Sequence, residues 1–198
     1  MSATLPPTAT ACKEWAVVVE ALRTGAQHVL FRKGGIREVA GRFELEAQQF
    51  WLYPTYEHQQ PSHVKPAWQS RLAATQHTID PRHVVIDLYA TVEAAIPATT
   101  LADALALDAH HLWTPAFVTQ RFQWKPEEPC WVLLLRTFRR TTPARIAVTP
   151  AYGGCRSWVQ LAQPMTTDQL QPVVEDAAFQ RVVRDVQAAL RVDSGCMR

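Results

Sequence analysis

Two segments of this chain carry residue types that could do chemistry. In the first, Arg32-Lys33-Gly34-Gly35-Ile36-Arg37-Glu38, two cations leave an apolar run just before two glycines. Glycine tolerates positive φ, so consecutive backbone N–H groups in such a turn can form an anion-binding nest, with Arg32, Lys33 and Arg37 adding charge. The same residues equally suit a hairpin turn with a solvated basic face, and Glu38, Glu44 and Glu46 would neutralise part of the field.

The second segment reads Phe50-Trp51-Leu52-Tyr53-Pro54-Thr55-Tyr56-Glu57-His58-Gln59-Gln60. Tyr53, Tyr56 and Trp51 offer stacking surface of the kind that single-strand binders use. Glu57 and His58 could move protons, since histidine titrates near neutral pH. Neighbouring side chains on extended backbone point apart, so Tyr56 and His58 could instead brace the following loop. A metal site built by the fold from His58, His63 and Glu57 is conceivable, but no zincin-like pair of histidines four apart occurs. No metal or cofactor is therefore expected.

Cys155 follows Gly153-Gly154 and precedes Arg156, and a cationic neighbour lowers a thiol pKa. A thiolate nucleophile with a distant histidine is one reading. A small buried residue where chains approach closely is the other. Arg156 could extend the basic surface with Trp158, Arg136, Arg139 and Arg140.

These residues need elements to position them. The chain has 198 residues, of which 47% are hydrophobic, enough for a core without disulfides. Charged residues make up 19% and the net charge is +2, too small to identify a nucleic-acid binder alone. Four cysteines occur with no C-x-x-C spacing, and seven tryptophans supply volume for a core. With no signal-peptide pattern and no long apolar run, a cytoplasmic location and no membrane partner are expected.

Residues 1–12 are small, polar and proline-bearing, which predicts a flexible tail before a single domain over 13–198. Trp15, Val18, Val19 and Leu22 recur at helical spacing, and Gly25 suits the cap. Strands are predicted over 28–32, over 43–46 with 49–53 as one bulged strand ending at Pro54, over 83–92, over 130–138 and over 158–161. A long loop over 57–82 holds a short helix near 67–73. Thr100 with Asp103, and Thr114-Pro115, read as helix starts. Residues 166–192 form a C-terminal helical segment with an apolar face. The order predicts α+β, with a mainly antiparallel curved sheet or partly closed barrel, flanking helices and a C-terminal helix. That order resembles the small RNA-binding barrels of the PUA and ASCH type, an analogy of fold.

Four blocks now carry a family resemblance. They are Lys13-Glu14-Trp15-Ala16-Val17-Val18-Val19-Glu20-Ala21-Leu22, the first glycine turn, Tyr53-Pro54-Thr55-Tyr56-Glu57-His58-Gln59, and Tyr152-Gly153-Gly154-Cys155-Arg156-Ser157-Trp158. Together they resemble a prokaryotic family catalogued as domain of unknown function 1802, over roughly residues 13–161. The resemblance implies no established activity. It leans toward nucleic acid through a suggested link to restriction-type nuclease regions, although the acidic-x-Lys pattern of such nucleases is absent here.

The expected function is binding of an anionic ligand, above all nucleic acid. Arg32, Lys33, Gly34, Gly35, Arg37 and Arg156 would hold phosphates, and Tyr53 and Tyr56 would stack. Two alternatives stay open. One is a nuclease or other hydrolase using Glu57 and His58, or Cys155. The other is a protein–protein interaction module with a tryptophan-rich, charge-poor surface.

Overall fold

The computed structural model describes residues 6–33, 36–39, 42–45, 47–77, 79–154 and 156–190, without the side chains of 36–39 and 42–45. The chain opens with β1 (Thr8–Trp15), α1 (Ala16–Arg23) and β2 (Val29–Arg32). A small hairpin of β3 (Ile36–Val39) and β4 (Arg42–Leu45) follows, then β5 (Gln49–Thr55), α2 (Pro66–His77) and β6 (His83–Ala98). After α3 (Leu101–Ala106) and α4 (Pro115–Gln123) come β7 (Cys130–Ala147), β8 (Trp158–Met165), β9 (Leu170–Pro172) and α5 (Asp176–Ala189).

The result is α+β, with a mixed, mostly antiparallel open sheet of seven strands among the described residues. Its order is β2-β7-β6-β5-β1-β8, with β9 also on β7. Only β1 and β5 run parallel among the described pairs. The long β6–β7 ladder is broken by register shifts at Ile86/Leu88 and Val92/Ala94. An extra residue in one strand bends it and raises the local twist. The sheet therefore curls.

Two-residue alternation splits the apolar side chains between its faces. Cys12, Phe50, Leu52, Leu88 and Ala90 enter the larger core cluster with α1 and α5. Ala11, Trp51, Tyr53 and Tyr89 enter a smaller cluster with Tyr152, Val159 and Leu161. A fully buried leucine such as Leu22 or Leu88 contributes about 2 kcal/mol by leaving water. On α5, Phe179, Val183, Val186 and Leu190 complete the larger cluster.

Several elements differ from expectation, for tertiary reasons. The helical stripe from Trp15 onward is shared, because β1 runs through Trp15 before α1 starts at Ala16. Parallel pairing with β5 over Ala11–Trp15 claims those residues for the sheet. The same strand begins at Thr8, inside the segment expected to be a tail, where Thr8 pairs with Met165. Residues 43–46 and 49–53 are not one strand, since β4 pairs with β3 and β5 with β1 and β6. Pro54 does not end β5. The parallel ladder with β1 runs on through Glu14↔Pro54 to Trp15↔Thr55 and carries the strand past the proline. The helix near 67–73 is α2, longer than expected. The capping box at Thr100 is complete, with Asp103 N–H donating to Thr100 Oγ1 and Thr100 N–H to Asp103 Oδ2. Among the described residues no helix is long and apolar enough to cross a membrane.

Candidate functional site

The last residue of β2, Arg32, points into the curl of the sheet. There it meets β1, on which Cys12 and Glu14, two apart, share a face. Arg32 Nη2 donates to Glu14 Oε2 and to Cys12 Sγ, both at 3.0 Å. Both charged side chains are largely buried, at 12% exposure for Arg32 and 13% for Glu14. Burial opposes the guanidinium charge, but Cys12 and Glu14 outweigh it and the Arg32 pKa lies above its ordinary value. The Nε of Arg32 is buried with no hydrogen-bond partner among the described residues.

A short helix brings the second cation. Thr114 caps α4 by accepting from Phe117 N–H at 3.3 Å, and Pro115 supplies its first residue. Phe117 and Arg121, four apart, share a face of that helix. Phe117 meets Trp113 and His63, each at 4.6 Å between ring centroids. Trp15 adds an edge contact to Trp113 at 5.0 Å and a stacked contact to His63 at 6.0 Å. Nδ1 of His63 is also buried without a described partner. Arg121 lies near Arg32, and its pKa is lowered by burial first and then by the Arg32 charge, with Glu14 and Cys130 pulling the other way. Its guanidinium also sits over the ring of Trp124, 5.4 Å from the centroid, and Lys125 Nζ approaches the same ring at 5.0 Å. Trp124 is 48% exposed.

The buried Arg32–Glu14 pair thus adjoins the aromatic cluster at Trp15, and Arg121 brings a second cation near it. The buried Nε of Arg32 is a donor without a described partner, and an anion would satisfy it.

The other expected site residues fall in several places. Lys33 is buried, donates to the Lys125 carbonyl at 2.9 Å and lies 5.7 Å from the Phe122 ring, so it ties β2 to the turn after α4. Gly34, Gly35 and Cys155 lie outside the described residues, and Arg37 is described only as backbone, paired with Glu44 in the β3–β4 hairpin. Trp51 is fully buried, with its indole N–H on the Thr8 carbonyl. Tyr53 is buried edge-on to Tyr152, and burial, then Tyr152, Tyr56 and Glu57, raise its pKa. Tyr56 is half-buried beside a cleft between α1 and β6. Glu57 and His58 are exposed in a turn where His58 has φ +60°. His63 belongs to the aromatic cluster, and among the described residues no three His, Cys, Asp or Glu side chains gather as a metal site.

The second glycine turn binds a cation of its own chain. Lys13 Nζ donates to the carbonyls of Tyr152 and Gly154, both at 3.0 Å. Lys13 and its neighbours Cys12 and Glu14 alternate across β1, so Arg32 and the Gly154 backbone approach that strand from opposite faces. Arg156 is exposed beyond this turn.

Sequence reasoning missed Glu14, Phe117, Arg121 and Trp124 as members of one site. The only local signal was the i, i+4 spacing of Phe117 and Arg121 behind a recognised cap.

Among solved structures, the chain is similar to the crystal structure of ASCH from Zymomonas mobilis at 15% identity, covering 88% of this chain and 93% of that one, with a TM-score of 0.43. A mutant of the same Zymomonas mobilis protein matches at 16% identity over 90% of this chain and 98% of that one, with a TM-score of 0.41. No curated protein matches. A family model described as "Domain of unknown function (DUF1802)" matches residues 11–185, and the chain belongs to that family.

Proposed function

We propose that this protein binds single-stranded nucleic acid at the end of the sheet where Arg32, Arg121 and Glu14 meet. Phosphate faces the two guanidiniums, and bases stack on Trp124 and on the partly open rings of Trp15, His63 and Phe117. The observation that carries the reading is the buried Arg32–Glu14 pair, with Arg32 Nε unpaired among the described residues and a second guanidinium, Arg121, near it. Like charges in a poorly solvated site are costly unless a ligand neutralises them. Exposed Trp124, flanked by Arg121 and Lys125, supports a base rather than a bare inorganic anion, because every base has a face that stacks.

The test is fluorescence polarisation with labelled single- and double-stranded DNA and RNA across a salt series. Single strands bind, and log K falls linearly with log salt as condensed counterions are released. Absence of binding at low salt, or affinity indifferent to salt, overturns the proposal.

A further inference from the structure

A second group of charges lies outside that site, around a cleft of about 430 Å³ between α1, α2 and the β6–β7 ladder. Its floor is acidic and its rim is cationic. Asp87 occupies the register shift between Ile86 and Leu88, where a bulge re-aims a side chain. It is buried, and its Oδ1 accepts from Arg23 Nη2 at 2.6 Å and Nε at 3.2 Å. Arg23 also pairs with Glu20 at 2.8 Å, Glu20 reaches Arg71 at 3.6 Å, and Asp87 reaches Arg139 at 3.7 Å. At the far end Asp80 accepts from Arg82 N–H at 2.8 Å and Arg145 Nη2 at 2.7 Å, and lies 3.2 Å from His83 Nδ1.

Every carboxylate here is engaged, whereas the outer arginines each keep N–H groups turned to water. Side-chain exposure is 54% for Arg71, 59% for Arg139 and 62% for Arg145, against 5% for Asp87, 29% for Glu20 and 32% for Asp80. The acids orient the arginine stems and leave the outward donors free for an incoming anion. Tyr56 adjoins the cleft, and Ala16 on its wall follows Trp15 of the aromatic cluster directly.

We infer that this arginine rim is a second phosphate-binding surface, holding the backbone of the same single strand as it leaves the Trp15 end through Arg71, Arg139 and Arg145. The inference rests on the nucleic-acid reading above and adds a path to it. The recognition is electrostatic, so it carries no base preference.

The experiment compares wild type, R71Q/R145Q, R71K/R145K and R121Q with single-stranded oligonucleotides of roughly 20 nucleotides. Each is titrated across a salt series, with folding checked by circular dichroism. Both rim residues are more than half exposed, so R71Q/R145Q keeps its fold. Its salt slope becomes shallower by about 1.4, since each single-strand phosphate contact contributes about 0.7. The charge-preserving R71K/R145K stays near the wild-type slope. Wild-type slope and affinity in R71Q/R145Q, with weakened binding in R121Q, overturn the rim and leave the first site standing. Loss in R71Q/R145Q with none in R121Q supports the rim and overturns the first site. No binding by the wild type overturns both.

Discussion

Arg32 and Glu14 form a 3.0 Å ion pair across the curl of the sheet, joining edge strand β2 to β1 over the three strands between them in the sheet order. Glu14 also accepts from the backbone N–H of Trp15 at 2.9 Å, so the carboxylate is fixed from both sides. Removing one member of a buried pair leaves the other charge uncompensated, which costs about 3 kcal/mol or more. Glu14→Gln therefore lowers the urea midpoint, and Glu14→Leu combined with Arg32→Met recovers most of the loss. The same Glu14→Gln change removes a carboxylate that neutralises Arg32, so its affinity for single strands rises while stability falls. Unchanged stability in Glu14→Gln would contradict a buried, structural pair.

Charge and stacking separate in a salt titration. Arg121→Gln removes one phosphate contact and makes the slope shallower by about 0.7. Trp124→Leu removes an exposed ring, lowers affinity by about 1–3 kcal/mol and leaves the slope alone. If both variants shift slope and offset alike, Trp124 is not a stacking surface.

Two buried histidines make the fold acid-sensitive. Burial, and next the neighbouring His110, lower the His28 pKa from 6.5 to about 4. Burial, and next the Lys65 cation, lower His111 to about 4, against an opposing pull from Asp108. Both imidazoles are neutral when folded and take up protons near pH 6.5 when unfolded. The unfolded state therefore binds more protons between about pH 4 and 6.5. Stability is full above pH 6.5 and falls as pH drops toward 4, by up to about 3 kcal/mol for each histidine. Urea midpoints measured from pH 7.5 to 4.5 check this, and His111→Asn, which keeps an acceptor for the Trp113 N–H, flattens the profile. A profile level down to pH 5 would refute it.

Gly25 ends α1 with φ +71°, and a Cβ there would meet Val174 Cγ2 at 2.8 Å. Gly25→Ala costs about 1–2 kcal/mol from the left-handed backbone alone, plus the contact. Adding Val174→Ala to Gly25→Ala removes only the steric part, although Val174→Ala alone costs some packing. Thermal melts of the three variants distinguish the two contributions, and a neutral Gly25→Ala would show that α1 can end otherwise.

Much of the architecture was legible because its signals are local. The Thr100–Asp103 box and the Thr114-Pro115 start each lie within four residues, and the folded chain uses both as read. Gly25 and the continuous apolar run that opens β7 are likewise written in neighbouring residues. The boundary between β1 and α1 was not, because Trp15 and the valines after it suit either state and the parallel partner β5 decides.

The site divides the same way. By itself the sequence determined that cations leave β2 beside a glycine pair, that aromatic residues are abundant, and that a helix starts at Thr114-Pro115. Only the tertiary structure decided what each charge meets. Lys33 turns to the Lys125 carbonyl, Lys13 to the second glycine turn, and Arg32 to Glu14, 18 residues earlier in the chain. A charge's partner is chosen by which strands the curl of the sheet brings together, and whether it stays open to a ligand depends on how much water that curl excludes.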